Sequence, residues 1–189
     1  MKKVVLAVLA VSCFATFSFA GNWGLGLKAG AGQNDWKVYS ATDIEKGYGF
    51  AGAEILYEFD LASNDKIGLK VGAEMYQKDK AKHSGNEVSI QTSNFPITLY
   101  YKWDKGVGAF SYFFGGGFTY INSRTHDYPN VKYTKSKGMA HLMVGTEYRF
   151  TQAFALGVDI TYNIDAKIVA GTVSDRSGFR GALVGRFYF

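Results

Sequence analysis

Cysteine is almost absent from this sequence. The single one, Cys13, lies inside an N-terminal apolar stretch. Once that stretch is set aside, the chain has no disulfide, no thiolate metal site and no cysteine nucleophile. Paired acids at metal-ligand spacing are also missing, and no cofactor is expected. Beyond residue 20 no run reaches 18 consecutive apolar residues, which excludes a helical membrane span. There are only two prolines. The formal net charge of +5 shrinks to +3 when Lys2 and Lys3 are removed with the leader, so the basic pI overstates the charge, and no nucleic-acid partner is expected.

What is present begins with that leader. Met1-Lys2-Lys3 is a short positive start, and Val4 to Phe17 is apolar apart from Ser12 and Thr16. Ser18-Phe19-Ala20 has the small-x-small form of a cleavage site ahead of Gly21. Residues 1–20 are therefore predicted to be a secretory signal peptide. Residues 21–189 are predicted to form one domain. A retained anchor and lipidation at Cys13 are the alternatives. The leader is too short for a spanning helix, which needs about 20 apolar residues.

The predicted domain alternates. Eight segments place apolar side chains at every second position, with charged, polar or glycine residues between them: Trp23–Gly32, Ala51–Phe59, Ile67–Tyr76, Asn94–Trp103, Phe110–Tyr120, Ala140–Phe150, Phe154–Asn163 and Gly178–Phe189. Side chains alternate across a strand, so each segment has one greasy face and one polar face. Each is close to the ~9–11 residues with which a tilted strand crosses a bilayer. The connections alternate in length. Asp60–Asp65, Asp104–Ala109 and Thr151–Ala153 are short, whereas Asn34–Lys46, Gln77–Glu87, Asn122–Lys137 and Asp165–Asp175 are long.

Alternation alone does not say which face is inside. A secreted lipocalin-like barrel would turn the apolar face inward around a ligand. Three features favour a membrane barrel. Aromatics (Trp23, Tyr57, Phe59, Tyr101, Trp103, Tyr148, Phe150, Phe187, Phe189) sit at strand ends on the apolar face, as membrane girdles do. The opposite face is rich in glycine, which suits a crowded narrow lumen. The sequence stops on Phe189. The predicted fold is thus all-β: an eight-stranded antiparallel up-and-down transmembrane β-barrel.

Phe95-Pro96-Ile97 with Tyr100-Tyr101, Tyr112-Phe113-Phe114-Gly115-Gly116-Gly117 and the terminal Arg186-Phe187-Tyr188-Phe189 carry a family resemblance. Over residues 22–189 the chain resembles the OmpA/OmpX-type eight-stranded outer-membrane barrels, porin-like β-barrel domains of the bacterial cell envelope. Only the terminal motif is specific. The resemblance implies outer-membrane localisation, with termini in the periplasm and long loops outside. It implies that Phe187 and Phe189 are read by the barrel-assembly machinery. The short form, with no peptidoglycan-binding domain after the last strand, departs from full-length OmpA.

Strand parity assigns the inward charges. Lys28, Lys70, Lys102, Arg149, Arg180 and Arg186 face Glu54, Glu58, Glu74, Glu147 and Asp159. Near-equal numbers predict a self-neutralising network that fills a lumen which eight strands leave just wide enough for side chains. General solute diffusion is not expected. A structural or surface-interaction role, in adhesion or the envelope, is the first reading. A small ion-conducting channel is the alternative, and a lipid A-modifying enzyme the second alternative. The candidate nucleophile and base for an enzyme are His83-Ser84, and Ser123 with His126 and Asp127, but proximity along a polar loop does not bring a base within reach of a nucleophile. No enzyme activity is expected. His141 is placed inward as a hydrogen-bonded lumen residue. Gly24-Leu25-Gly26 lacks the strand–helix setting of a dinucleotide loop.

Lys78, Lys80 and Lys82 cluster in the second long connection, and Arg124, Lys132 and Lys135 in the third. These are the surface-loop binding candidates. Expected partners are outer-membrane lipid and lipopolysaccharide phosphates, and an extracellular ligand or host surface.

Overall fold

The computed structural model describes residues 22–33, 35–37, 47–61, 64–77, 79–83, 86–127, 131–164, 167–169, 173–175 and 178–189. The predicted signal peptide and Lys78 lie outside the described residues. No described helix is long and apolar enough to cross a membrane.

The described residues form twelve strands: β1 (Asn22–Gln33), β2 (Asp35–Lys37), β3 (Gly47–Asp60), β4 (Asp65–Tyr76), β5 (Asp79–His83), β6 (Asn86–Trp103), β7 (Phe110–Asp127), β8 (Val131–Arg149), β9 (Phe154–Ile164), β10 (Lys167–Val169), β11 (Val173–Asp175) and β12 (Gly178–Tyr188). The main sheet runs β4-β3-β1-β12-β9-β8-β7-β6, and a β4–β6 pairing closes it. All its ladders are antiparallel. The result is a closed eight-stranded barrel, which leaves no free edge in the wall. The seam between the first and last strands sets Gly24 opposite Tyr188 and Gly32 opposite Arg180.

The apolar face points out. Leu183 is 62% exposed, and Leu27, Phe114 and Leu142 are similarly bare. The intervening residues are buried in the interior, among them Glu54, Lys70 and Arg186. This is the reverse of a lipocalin and is the arrangement lipid selects. Aromatic rings link laterally at the short-turn end: Phe110 to Tyr148, Tyr148 to Phe150, Phe150 to Phe154 and Phe154 to Phe187, at centroid distances of 4.9 to 5.9 Å. Trp23, Tyr57 and Phe59 continue that band.

The short turns are locally specified. Asp104 accepts hydrogen bonds from the Gly106 N–H and the Ser111 hydroxyl. Gly106 (φ 81°) and Gly108 (φ 79°) take the left-handed conformations that this turn requires. Between β8 and β9, the Thr151 hydroxyl accepts from the Ala153 and Phe154 N–H groups.

The long connections differ from the sequence expectation. β6, β7 and β8 run 18, 18 and 19 residues, well past bilayer length. β5 pairs with β6, so a four-stranded extension rises beyond the barrel wall. Lys80, Lys82, Arg124, Lys132 and Lys135 therefore sit on strands and not on loops. Separately, β2 from the first long connection pairs with β11, and β11 with β10, in a three-stranded sheet that ties the first and fourth connections together.

Candidate functional site: the barrel interior

Inward side chains come from every wall strand at alternate positions. Where one is large, its direct cross-strand partner is usually glycine. Gly26 faces Glu54 and Gly30 faces Phe50. Gly68 faces Tyr100, and Gly145 faces Phe113. A Cβ on Gly68 would come within 2.1 Å of the Tyr100 ring. At these pairs the glycine leaves the room that the facing side chain fills, so glycine opposite bulk is a steric requirement there.

The space this leaves is occupied by one connected set of charges. Arg186, 2% exposed, is its hub. Its Nε lies 2.9 Å from Glu54, one terminal nitrogen 3.1 Å from Glu147, and the other 2.7 Å from Asp159. Lys70 also binds Asp159, at 2.8 Å, and lies 3.9 Å from Glu54. Toward the short-turn end, Lys102 bridges Glu147 (2.6 Å) and Glu58 (2.9 Å). The Tyr188 hydroxyl donates to Glu147, and that of Tyr100 to Glu58. Arg149 lies 3.7 Å from Glu147 and 3.4 Å from Asp104. Lys66 completes this end, 3.1 Å from Asp104 and 3.5 Å from Glu58. Toward the long-connection end, Lys28 joins Glu54 (3.4 Å) to Glu74 (2.7 Å), and Glu74 holds Arg180. Arg180 also donates to the Tyr76 hydroxyl, at 2.6 Å.

All eleven interior charges predicted from parity lie in this connected set. Lys66 and Asp104 were missed. Both continue the inward parity of their strands by one step, Lys66 ahead of Gly68 and Lys70, Asp104 after Tyr100 and Lys102. Placing the turns at Asp60–Asp65 and Asp104–Ala109 cut the pattern short.

Aromatic faces complete the environment. Lys70 and Arg186 each sit 5.1 Å from the Phe113 centroid, and Arg149 lies 4.3 Å from that of Tyr188. A cavity of about 20 Å³ remains between Lys28, Lys70, Glu74, His141, Asp159 and Arg180. That is room for a single water-sized molecule. Beyond it the interior turns neutral. His141 binds the Thr98 hydroxyl through Nε2 and the Thr119 hydroxyl through Nδ1, both at 2.9 Å. Thr92 and Ser123 pair at 3.1 Å. Buried Ile121 and Met139 pack together nearby.

Of the serine–histidine candidates, Ser123 faces inward against Thr92. Ser84 lies outside the described residues, as do the side chains of His83, His126 and Asp127. Among the described residues no cluster of His, Cys, Asp or Glu has metal-binding geometry. Phe187 points outward onto the ring of Phe154. The Phe189 N–H donates to the Trp23 carbonyl at 3.0 Å, which fastens the chain end to the first strand. Of the basic candidates, Arg124 is exposed on the outward parity of β7. For Lys80, Lys82, Lys132 and Lys135 the structure gives backbone register only.

A closed, lipid-facing barrel with a charged interior matches a known family profile, outer membrane protein beta-barrel domain, over residues 4–187. The chain belongs to this family. It is an outer-membrane β-barrel protein. Solved structures with the same fold include Ail, the attachment invasion locus protein of Yersinia pestis (10% identity, 90% of this chain and 99% of that chain covered, TM-score 0.56). The outer membrane protein OprG of Pseudomonas aeruginosa is similar (13%, 90% and 96%, 0.56). So is the N-terminal β-barrel domain of OprF from the same organism (14%, 89% and 98%, 0.52). At these identities the likeness is one of fold. A comparison with curated protein sequences finds no match.

Proposed function

We propose that this barrel is a closed structural and surface-interaction element of the outer membrane, neither a diffusion pore nor an enzyme. The observation that carries this reading is the Arg186 hub. One guanidinium engages carboxylates from β3, β8 and β9 and so ties the far walls of the interior together. The cavity between Lys28, Lys70 and Asp159, about 20 Å³, is far too small for a solute such as a sugar. Refolded into liposomes, the protein is expected to give no swelling in isotonic arabinose or glucose. Swelling at porin-like rates would overturn the reading.

The orientation that goes with this role puts both termini and the three short turns in the periplasm, with the β5–β8 extension and the β2–β11–β10 sheet outside. The support is the alternation of short and long connections around an even-stranded barrel. With its only cysteine in the predicted leader, the barrel suits labelling by introduced cysteines. A membrane-impermeant maleimide should label Thr134→Cys in intact cells, and Lys105→Cys only after the outer membrane is permeabilised. The opposite pattern would invert the topology.

The exposed extension is the surface on which an outer-leaflet lipid, an extracellular ligand or a host surface would act. Phe187 and Phe189 are proposed as the segment that the barrel-assembly machinery engages, since they end the strand that closes the seam.

A further inference from the structure

Asp65 breaks the rule that governs the other acids. Every other acid with a described side chain takes or continues the inward parity of its strand and pairs with a lysine or arginine. Asp65 starts β4 on the outward parity, in line with Ile67, Leu69 and Val71. Its carboxylate is half-buried and accepts a hydrogen bond from the Tyr101 hydroxyl at 2.6 Å. Among the described residues it has no ion-pair partner. Lys66, its neighbour along the chain, turns inward to Glu58 and Asp104.

The register sets Asp65 beside Trp103, and Trp103 beside Tyr112. The next row is Ile67, Tyr101 and Phe114. Asp65, Tyr101, Trp103, Tyr112 and Phe114 line an open cleft of about 280 Å³ on the outside of the wall. Trp103, Tyr112 and Phe114 are exposed, and the Phe114 ring lies 5.5 Å from that of Tyr101. Aromatics at strand ends sit at headgroup level, so the cleft opens to lipid at the short-turn end. Its walls are aromatic rings, and its one charge is a carboxylate. That lining is complementary to an ammonium: ring faces attract a cation, and the carboxylate accepts its N–H. The Lys105 ammonium lies 4.3 Å from the Trp103 centroid. It sets a positive charge beside the cleft, where a phosphate joined to the bound ammonium finds its partner. A carboxylate held against lipid is costly until a cation joins it.

We propose that this cleft binds the primary ammonium of a zwitterionic, ethanolamine-headed phospholipid in the leaflet at the short-turn end, with Asp65 as the counter-ion. The position argues for a lipid over a soluble amine, because Asp65 and the four aromatics all share the lipid-facing parity. The sign of Asp65 argues against an anionic headgroup.

The test uses the full mature barrel refolded into phosphatidylcholine vesicles. These contain equal mole fractions of either phosphatidylethanolamine or phosphatidylglycerol with brominated acyl chains, which quench tryptophan on contact. The chain has three tryptophans, and Trp23→Phe with Trp36→Phe leaves Trp103 as the reporter. Its quenching should show a roughly two- to five-fold preference for the ethanolamine lipid, the range expected of one exposed cation–π contact. Asp65→Asn keeps an oxygen for the Tyr101 hydroxyl and removes the charge, and should abolish the preference. A barrel that retains only Trp23, which packs against Tyr57 on the same girdle, should show none. Equal quenching of Trp103 by the two lipids would overturn the proposal, as would a preference that survives Asp65→Asn. An equal preference at Trp23 would also overturn it, since headgroup choice would then belong to the whole girdle.

Discussion

Tyr100 lies against Gly68 on one side and has Gly115 as its partner on the other, and its hydroxyl reaches Glu58. The residues that face it on both neighbouring strands carry only hydrogen at the side-chain position. Gly68→Ala should therefore force the ring aside and disturb the Glu58–Lys102 pairing, at a cost typical of overpacking, about 1–3 kcal/mol. Gly181, whose added Cβ would meet nothing within 4 Å, is the matched control. Urea unfolding from micelles should show a lowered midpoint for Gly68→Ala and a near-unchanged one for Gly181→Ala. Equal effects would contradict the packing rule. At this scale much was legible in the sequence. Alternation with a period of two leaves only one face for Glu54 once Ile55 faces lipid, and the same holds for Asp159 beside Val158. What the sequence could not supply was partner choice. Arg186 reaches Glu54 132 positions away and Glu147 39 positions away, and barrel closure, not local spacing, brings them together.

Among the elements, β12 has the most to do. It pairs with β1 and with β9, so it is the strand that closes the cylinder. It carries Arg180 and Arg186 inward and Phe179, Leu183 and Phe187 outward. Removing Phe189 deletes the hydrogen bond to Trp23 and an aromatic from the short-turn girdle. Deletion should slow assembly in cells, seen as accumulation of the form whose gel mobility does not change on boiling. A normal yield of heat-modifiable barrel would count against the assembly role of the terminal aromatics. The elements that the sequence hid are the outer halves of β6, β7 and β8, together with β5. Outside the bilayer both faces of a strand meet water. The apolar alternation that marks a spanning segment disappears there, and a sheet held by its backbone ladder looks like a polar loop. The three-residue strands β2, β10 and β11 are too short to leave any periodic trace.

For the whole molecule, two surfaces have exchanged their usual roles. Lipid takes the apolar face that a soluble barrel would bury, and the interior is filled by ions. Such an interior is stable only while every charge has its partner. Breaking a fully buried pair costs about 3–5 kcal/mol, because the remaining charge cannot regain water. Glu147 is the sharpest place to test this. It holds Lys102 and Arg186 and accepts the Tyr188 hydroxyl, and so joins the short-turn end of the network to its centre. Planar-bilayer recording of the wild type beside Glu147→Ala is the most direct measurement. The account predicts no sustained open state in the wild type, and markedly raised conductance once Glu147 no longer bridges Lys102 and Arg186. A stable open pore in the wild type, unchanged by Glu147→Ala, would contradict a lumen held shut by its own charges.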